Sequence, residues 1–350
     1  MIDLNDKNAI AKIDPLNALG SAELLVKQCD TAWNEVMSLD LPHHIEGITN
    51  VVFCGMGASV YGALALKALL GREMPFPSEV ISDYYLPDYV GPQTLVVLTS
   101  YSGTTEEVLA CAEEAKAKNA KMVVLTKGGP LAQFAKDNNV PAYVFDGKLN
   151  ISNAPRAGCG YTIFGLIGLL NKLNVIDIEE KEVTNAILRF KDDFETIRQQ
   201  AQTDQALFEN KIPIIFAAEH LSGNAQIIRN QFNETSKNFA AHFLIPDLNH
   251  HLMEGLQFPE NAPLYFIILN SPNYSDKIKQ RVALTTEIVK KKNYPVHEFM
   301  TGGATVYDDF LETLVYGSFL TLYLGLAYGQ NPATNPDVDW FKQQLATPSK

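Results

Sequence analysis

The chain has 350 residues, enough for two domains of ordinary size, each with its own hydrophobic core. Hydrophobic residues make up 46% of it and charged residues 19%, which excludes long disordered or fibrous segments. The formal net charge of −12 argues against binding to nucleic acid, because a phosphate backbone requires a basic surface. A small anion can still bind where amides and hydroxyl groups cluster.

The first forty or so residues are predicted to be helical, because apolar residues between Ile10 and Leu19 recur near helical spacing. Leu41-Pro42 is predicted to end this segment. The opening residues MIDLNDKNAI lack a basic stretch followed by an apolar run, so no secretory leader is expected. The four cysteines are scattered without a C-x-x-C pair, which favours reduced thiols and a cytoplasmic location.

From Ile48 a different pattern begins, in which a short apolar run is followed by a Gly/Ser/Thr loop and then by a helical pattern. The first loop is GMGAS and the second is TSYSGTT. Strands alternating with helices of this length predict a parallel, doubly wound sheet. The predicted strands of this half are 51–54, 95–98, 121–125 and 142–145.

After a mostly helical stretch, the same pattern returns in the second half of the chain. Apolar runs at 212–216 and 264–269 lead through AAEHLSGN and NSPNYS into helices over 226–233 and 276–291. The sequence therefore predicts an α/β protein with two similar αβα domains, each built on a mainly parallel doubly wound sheet. The predicted boundaries are 1–45 for the N-terminal helices, 46–150 for the first domain, 151–205 for a helical connection, 206–330 for the second domain and 331–350 for a C-terminal helix.

The stretch 313–329 is uncharged and nearly long enough to span a bilayer. Its two internal glycines and three tyrosines, and the acidic residues just before it, favour a buried helix instead. No membrane association is therefore expected.

The loop 99–105 follows a predicted strand and precedes a helix, so it lies at the edge of the sheet where such folds bind ligands. A helix N-terminus favours a phosphate there, and hydroxyl groups add donors. Simple capping of the helix by one hydroxyl is the alternative. GMG at 55–57 does not extend to a dinucleotide-binding glycine pattern, and no Walker A motif occurs, so no nucleotide cofactor is expected. The candidate phosphate donors are Ser100, Ser102, Thr104 and Thr105.

Together, GMGAS and SYSGTTEE resemble the SIS (sugar isomerase) domain family. NETSK at 233–237, PDLNHH at 246–251, APRAG at 154–158 and the C-terminal NPDVDWFKQQL are similar to the bifunctional phosphoglucose/phosphomannose isomerases. The resemblance covers nearly the whole chain in order, with Ala58, His251 and Leu252 as departures that bear on substrate selectivity. It implies isomerisation of glucose 6-phosphate, and of mannose 6-phosphate, to fructose 6-phosphate through a cis-enediol, without a metal or cofactor.

The same resemblance implies a role for each matching residue. Glu234 would be the base that moves a proton between C1 and C2, and Arg156 would stabilise the enediolate. His250 would open the sugar ring from the neighbouring subunit of a homodimer, and Lys342 would assist as a cation. Gly57 and Ser59 would contact the sugar.

Three alternatives stay open at this point. Glu234 could be an ordinary exposed glutamate on a helix surface, as charged residues usually are. Four side chains could instead hold a metal: Asp247, His250, His251 and Glu254. The protein could also be a regulatory phosphosugar-binding protein without activity, or an isomerase for another sugar phosphate.

Overall fold

The structure, a computed structural model, describes residues 2–41 and 45–345. The strands in these ranges are β1 Asn50–Cys54, β2 Ser78–Ile81, β3 Thr94–Ser100, β4 Lys121–Thr126, β5 Ala142–Val144, β6 Ile212–Ala217, β7 Ala241–Leu244, β8 Leu264–Asn270 and β9 Val296–Met300. The α-helices are α1 Lys7–Ile13, α2 Ala18–Glu23, α3 Leu25–Ser38, α4 Tyr61–Leu70, α5 Glu106–Ala117, α6 Gly129–Asp137, α7 Cys159–Lys172, α8 Glu180–Asp204, α9 Ser222–Glu234, α10 Leu252–Gly255, α11 Asp276–Lys291, α12 Val306–Ala327 and α13 Pro336–Leu345.

The strands form two separate parallel sheets. The first has the order β2-β1-β3-β4-β5, and the second has the order β7-β6-β8-β9. All neighbouring strands in both sheets are parallel. In each sheet, the second strand in the chain lies on one side of the first strand and the later strands lie on the other side, as in doubly wound folds. The loops after β1 and β3 therefore open at the same edge of the first sheet. The predicted α/β architecture with two doubly wound sheets is confirmed.

The two halves share one hydrophobic core. Helix α4 packs against α7 and α9, and α9 packs in turn against α12. The approach of α4 to α7 is close at Gly62, where an added Cβ would lie 2.4 Å from the Thr162 carbonyl oxygen. Gly62 therefore allows the two helices to pack closely.

The stretch predicted as a connection is part of this core. Helix α7 is buried almost throughout and packs on α3 and α4. Its apolar residues leave no solvent-facing stripe, which is why it packs between other helices of the core. The predicted limits of the domains stay a prediction, and Pro42, the predicted end of the N-terminal helices, lies outside the described residues.

Helix α12 contains the long uncharged stretch 313–329 up to Ala327. By length and composition it is apolar enough to cross a membrane, but 94% of its most apolar window is buried inside the protein. It begins with a capping box in which the Thr305 hydroxyl accepts from the Asp308 amide and the Asp308 carboxylate accepts from the Thr305 amide. Helix α12 is therefore a buried helix, as predicted.

Candidate active site

The serine-rich loop joins β3 to α5 at the carboxyl edge of the first sheet. Ser100 is fully buried at the end of β3, and its hydroxyl lies 2.7 Å from the Thr105 hydroxyl. Ser102 and Thr104 are exposed and lie 2.8 Å from each other through their hydroxyl groups. Thr105 stands at the N-cap of α5, yet no described side chain caps this helix. The capping alternative therefore fails, and the first amides of α5 are left to bind an anion.

The loop is held in shape by the neighbouring loop after β4. The Lys127 amide donates to the Tyr101 carbonyl and the Leu131 amide donates to the Gly103 carbonyl, both at 3.0 Å. Gly103 has a φ of +73°, and a Cβ there would lie 1.8 Å from the Gly128 carbonyl oxygen. Only glycine fits this position, which fixes the hydroxyl groups around it.

A buried polar network ties this loop to the first glycine loop. The Tyr101 amide donates to the Ser59 hydroxyl oxygen at 3.0 Å, and Asn150 Nδ2 donates to the Tyr101 hydroxyl at 2.8 Å. Ser59 is nearly inaccessible to solvent. Ser59, predicted to contact the sugar, thus positions the backbone of the loop 100–105.

Glu234 and Arg156 lie together, although 77 residues separate them in the chain. Arg156 Nη1 lies 3.5 Å from Glu234 Oε2, and the side chains are 4% and 31% exposed. Gly57 is at the same place, since a Cβ on it would lie 3.9 Å from Glu234 Oε1. Arg156 is further held by Thr235, whose hydroxyl accepts from Nε at 3.1 Å. The open alternative of an ordinary exposed glutamate does not hold for Glu234.

The segment before α13 closes the other side of this pair. Arg156 Nη2 donates to the Pro332 carbonyl. The Asn335 amide lies between the two charges, and its hydrogen bonds assign its orientation: its oxygen accepts from Arg156 Nη1 at 3.0 Å, and its nitrogen donates to the carbonyls of Thr334 at 2.7 Å and Glu234 at 3.2 Å. A carboxylate, a guanidinium and an amide therefore converge beside the Gly57 loop.

Lys237 is a further cation at this site that the sequence analysis did not single out. Its Nζ donates to the carbonyls of Glu234 at 2.5 Å and Thr334 at 2.6 Å. Burial lowers the pKa of Lys237 to about 8, and the Arg156 charge adds to the shift while Glu234 opposes it. The sequence signal for Lys237 was its place within one turn of the proposed catalytic glutamate. This signal did not single it out, because lysines at such places are usually solvated.

Two of the predicted catalytic residues do not join this group within the described chain. His250 is exposed in a short 3-10 helix, Asp247–His250, and its imidazole has no hydrogen-bond or ion-pair partner among the described residues. Lys342 is exposed on α13. The roles of both stay predictions.

The alternative metal site is not assembled. His251 pairs with Asp247 at 3.2 Å, both exposed. In residues 2–41 and 45–345, no three His, Cys, Asp or Glu side chains come together as a metal ion would require.

The corresponding loop of the second sheet is closed by a carboxylate of the protein. Asp309 Oδ2 accepts from Ser271 Oγ at 2.6 Å and from Asn273 Nδ2 at 2.9 Å, and it lies 3.0 Å from His220 Nε2. The hydroxyl and amide donors of the NSPNYS loop are therefore already occupied by a buried anion. This leaves the loop 100–105 of the first sheet as the candidate phosphate site.

Comparison with known families and sequences identifies the chain. Residues 44–144 match the SIS domain family, and residues 198–345 match the C-terminal SIS domain of bacterial phosphoglucose isomerase. Bifunctional phosphoglucose/phosphomannose isomerases of Caldicellulosiruptor bescii and Aquifex aeolicus are 28% and 26% identical to it, over 92% of this chain in both cases and 97% and 98% of theirs. The chain therefore carries two SIS domains, and over nearly its whole length it is similar to bifunctional phosphoglucose/phosphomannose isomerases. A D-glucosamine-6-phosphate 4-epimerase of Sulfolobus acidocaldarius is also similar, at 24% identity over 72% of this chain and 76% of its own.

Solved structures share the fold of this chain. Tagatose-6-phosphate ketose/aldose isomerase of Escherichia coli superposes with a TM-score of 0.65 at 13% identity, covering 93% of this chain and 94% of that one. Glucosamine-6-phosphate deaminase of Thermotoga maritima gives a TM-score of 0.63 at 16% identity, covering 91% and 97%. At these identities the likeness concerns the double SIS-domain fold.

The geometry of the loop 100–105 predicts the effect of one glycine substitution. Gly103→Ala should raise the Kd for inorganic phosphate by about tenfold or more, because relief of the clash with Gly128 displaces the loop hydroxyls. Gly91→Ala is the matched control, since a Cβ there meets no atom within 4 Å. The increase in Tm on addition of phosphate reports binding in each variant. An increase in Gly103→Ala equal to that of the wild type would show that phosphate binds elsewhere.

Proposed function

We propose that this protein isomerises aldose 6-phosphates to fructose 6-phosphate, acting on glucose 6-phosphate and on mannose 6-phosphate. The observation that carries the proposal is the ion pair between Glu234 and Arg156 beside Gly57, at the edge of the sheet that also carries the candidate phosphate loop. The names of the relatives from Caldicellulosiruptor bescii and Aquifex aeolicus support the same reaction.

In this proposal, the phosphate of the substrate binds to the hydroxyls of the loop 100–105 and to the free amides at the start of α5. Ser100, Ser102, Thr104 and Thr105 supply four hydroxyl groups within one turn of that helix. The helix dipole favours the dianionic phosphate. Binding by the remote phosphate orients the sugar carbons toward Glu234.

The carboxylate of Glu234 then transfers a proton between the two carbons. In the open-chain aldose it removes the proton from C2 while the C1 oxygen gains one, which gives a cis-enediol; return of the proton to C1, with loss of the proton from the C2 hydroxyl group, gives the ketose. Arg156 stabilises negative charge on the enediol oxygens, since a fixed, buried cation acts strongly where water is excluded. The proposed proton transfer uses no redox cofactor or metal.

Ring opening is assigned to His250 of a second copy of the chain. In one chain this imidazole is exposed and without a partner among the described residues, next to the edge strand β7. Along the chain, two large exposed side chains precede and follow this segment: Phe239 is 68% exposed and Phe258 is 74% exposed. An apolar edge of this kind favours a homodimer in which each subunit supplies His250 to its partner. We place the activity in the cytoplasm, and Lys342 on α13 as an assisting cation.

The alternative is that the protein acts on, or merely senses, another phosphosugar. The similarity to a D-glucosamine-6-phosphate 4-epimerase favours it, because one fold then supports chemistry at C4 as well. This alternative does not require the Glu234 carboxylate to reach C1 and C2.

The deciding experiment incubates the chain with glucose 6-phosphate or mannose 6-phosphate in D2O with a chelator present. We expect fructose 6-phosphate from both substrates, with deuterium incorporated at the carbons that exchange a proton with the base. Epimerisation at C4 would favour the epimerase. A rise in Tm with hexose phosphates but no conversion would favour a non-catalytic sensor.

A further inference from the structure

Lys237 lies where two parts of the site meet. One is the carboxyl end of α9, which carries Glu234, and the other is the segment 332–335, which leads from the central helix α12 into α13. Its ammonium group donates to one main-chain carbonyl of each part, Glu234 at 2.5 Å and Thr334 at 2.6 Å. A single side chain thus joins the two parts directly.

The backbone conformation and the surroundings of Lys237 both cost free energy, which argues against an incidental contact. The residue has a φ of +57°, a conformation that residues other than glycine rarely adopt. Its side chain is half-buried, and the charge of Arg156 nearby disfavours a second cation. Two short hydrogen bonds to carbonyl oxygens compensate the buried ammonium group.

Other contacts at the junction depend on the same two carbonyls. The Asn335 amide nitrogen also donates to the carbonyls of Thr334 and Glu234, while its oxygen accepts from Arg156. Without Lys237, the Asn335 amide alone would link the two carbonyls, and Arg156 would hold the segment through the Pro332 carbonyl and the Asn335 side chain. The place of Asn335 beside the Glu234 carboxylate, and the start of α13, would then be loosely defined.

We propose that Lys237 is a positioning residue of this site: its ammonium group clamps the segment 332–335 to the end of α9, and so fixes the Asn335 amide beside the Glu234 carboxylate. The proposal rests on the proposed function for its catalytic consequence, but the clamp itself is a statement about the structure of the segment. The phosphate loop lies on separate elements, so substrate capture does not depend on the clamp.

The test compares Lys237→Met, which removes all three donors at similar size, with Lys237→Arg, which keeps donors, and with Lys279→Met on the exposed face of α11 as control. In Lys237→Met we expect kcat for the hexose phosphates to fall by about ten- to a hundredfold while KM changes less than about threefold. Lys237→Arg should recover most of kcat, and Lys279→Met should match the wild type. An unchanged kcat in Lys237→Met, or a loss that appears only in KM, would overturn the proposal.

Hydrogen exchange tests the clamp independently of any reaction. Between Pro332 and Pro336, which have no amide hydrogen, the amides of Ala333, Thr334 and Asn335 should exchange at least about tenfold faster in Lys237→Met than in the wild type and in Lys279→Met. Faster exchange in a protein that isomerises nothing would sink the proposed function but keep the clamp; unchanged exchange would sink the clamp. If Lys237→Met does not fold, Lys237→Gln is measured in the same way, with the same two outcomes.

Discussion

Replacing Glu234 with glutamine is expected to lower kcat for glucose 6-phosphate and mannose 6-phosphate by about a thousandfold, within the range found for a lost general base. Glutamine has nearly the same shape and can still accept from Arg156 Nη1, which lies 3.5 Å from Oε2 in the wild type. What it lacks is the ability to take up a proton. KM is therefore expected to stay within about threefold of the wild-type value, because the phosphate loop is untouched.

The matched control is Glu287→Gln on α11, where the exposed carboxylate pairs with Lys291 one turn away. It should leave kcat and the Tm unchanged, because an exposed pair of this type contributes little. Measuring deuterium uptake from D2O into the product separates the proton transfer from later steps. Full turnover in a folded Glu234→Gln variant would show that another group is the base.

A heterodimer of one Glu234→Gln subunit and one His250→Ala subunit is expected to regain about half of the wild-type activity, although each homodimer is nearly inactive. If His250 reaches the partner's site, one of the two sites in the heterodimer contains Glu234 from one subunit and His250 from the other, and this site is intact. The second site lacks both groups. The exposed imidazole without a partner in the described chain motivates the experiment.

Two different affinity tags, purified in sequence, isolate the heterodimer for assay. A doubly tagged dimer of two Glu234→Gln subunits is the control and should stay inactive. Activity no higher than that of the two parent homodimers would show that His250 serves its own subunit or has no role. A chain that sedimented as a monomer at assay concentrations would contradict the shared site altogether.

Several features of the fold follow from local sequence alone. The run Thr94–Ser100 is buried along its whole length, as its apolar composition between turn residues predicts, and α11 has the limits that its periodicity predicts. The long helix α12 is a core helix, as its acidic approach and glycines suggested. Alternation of such elements was enough to predict two parallel sheets, because parallel strands require helical crossovers.

What the sequence determined by itself was the alternation of strands and helices, with six of the nine described strands, and the hydroxyl-rich loop at the start of α5; β2, β7 and β9 were not predicted. What only the tertiary structure decided was which distant residues meet there. Arg156 comes to Glu234 because α7 is buried between α3 and α4 rather than serving as a linker, and Lys237 and Asn335 join them through main-chain carbonyls that carry no residue signature. The sequence pattern also did not reveal that Ser59 supports the phosphate loop or that Asp309 closes the second one. Periodicity reports which face of an element is buried, whereas side-chain contacts across the fold depend on packing between elements far apart in the chain.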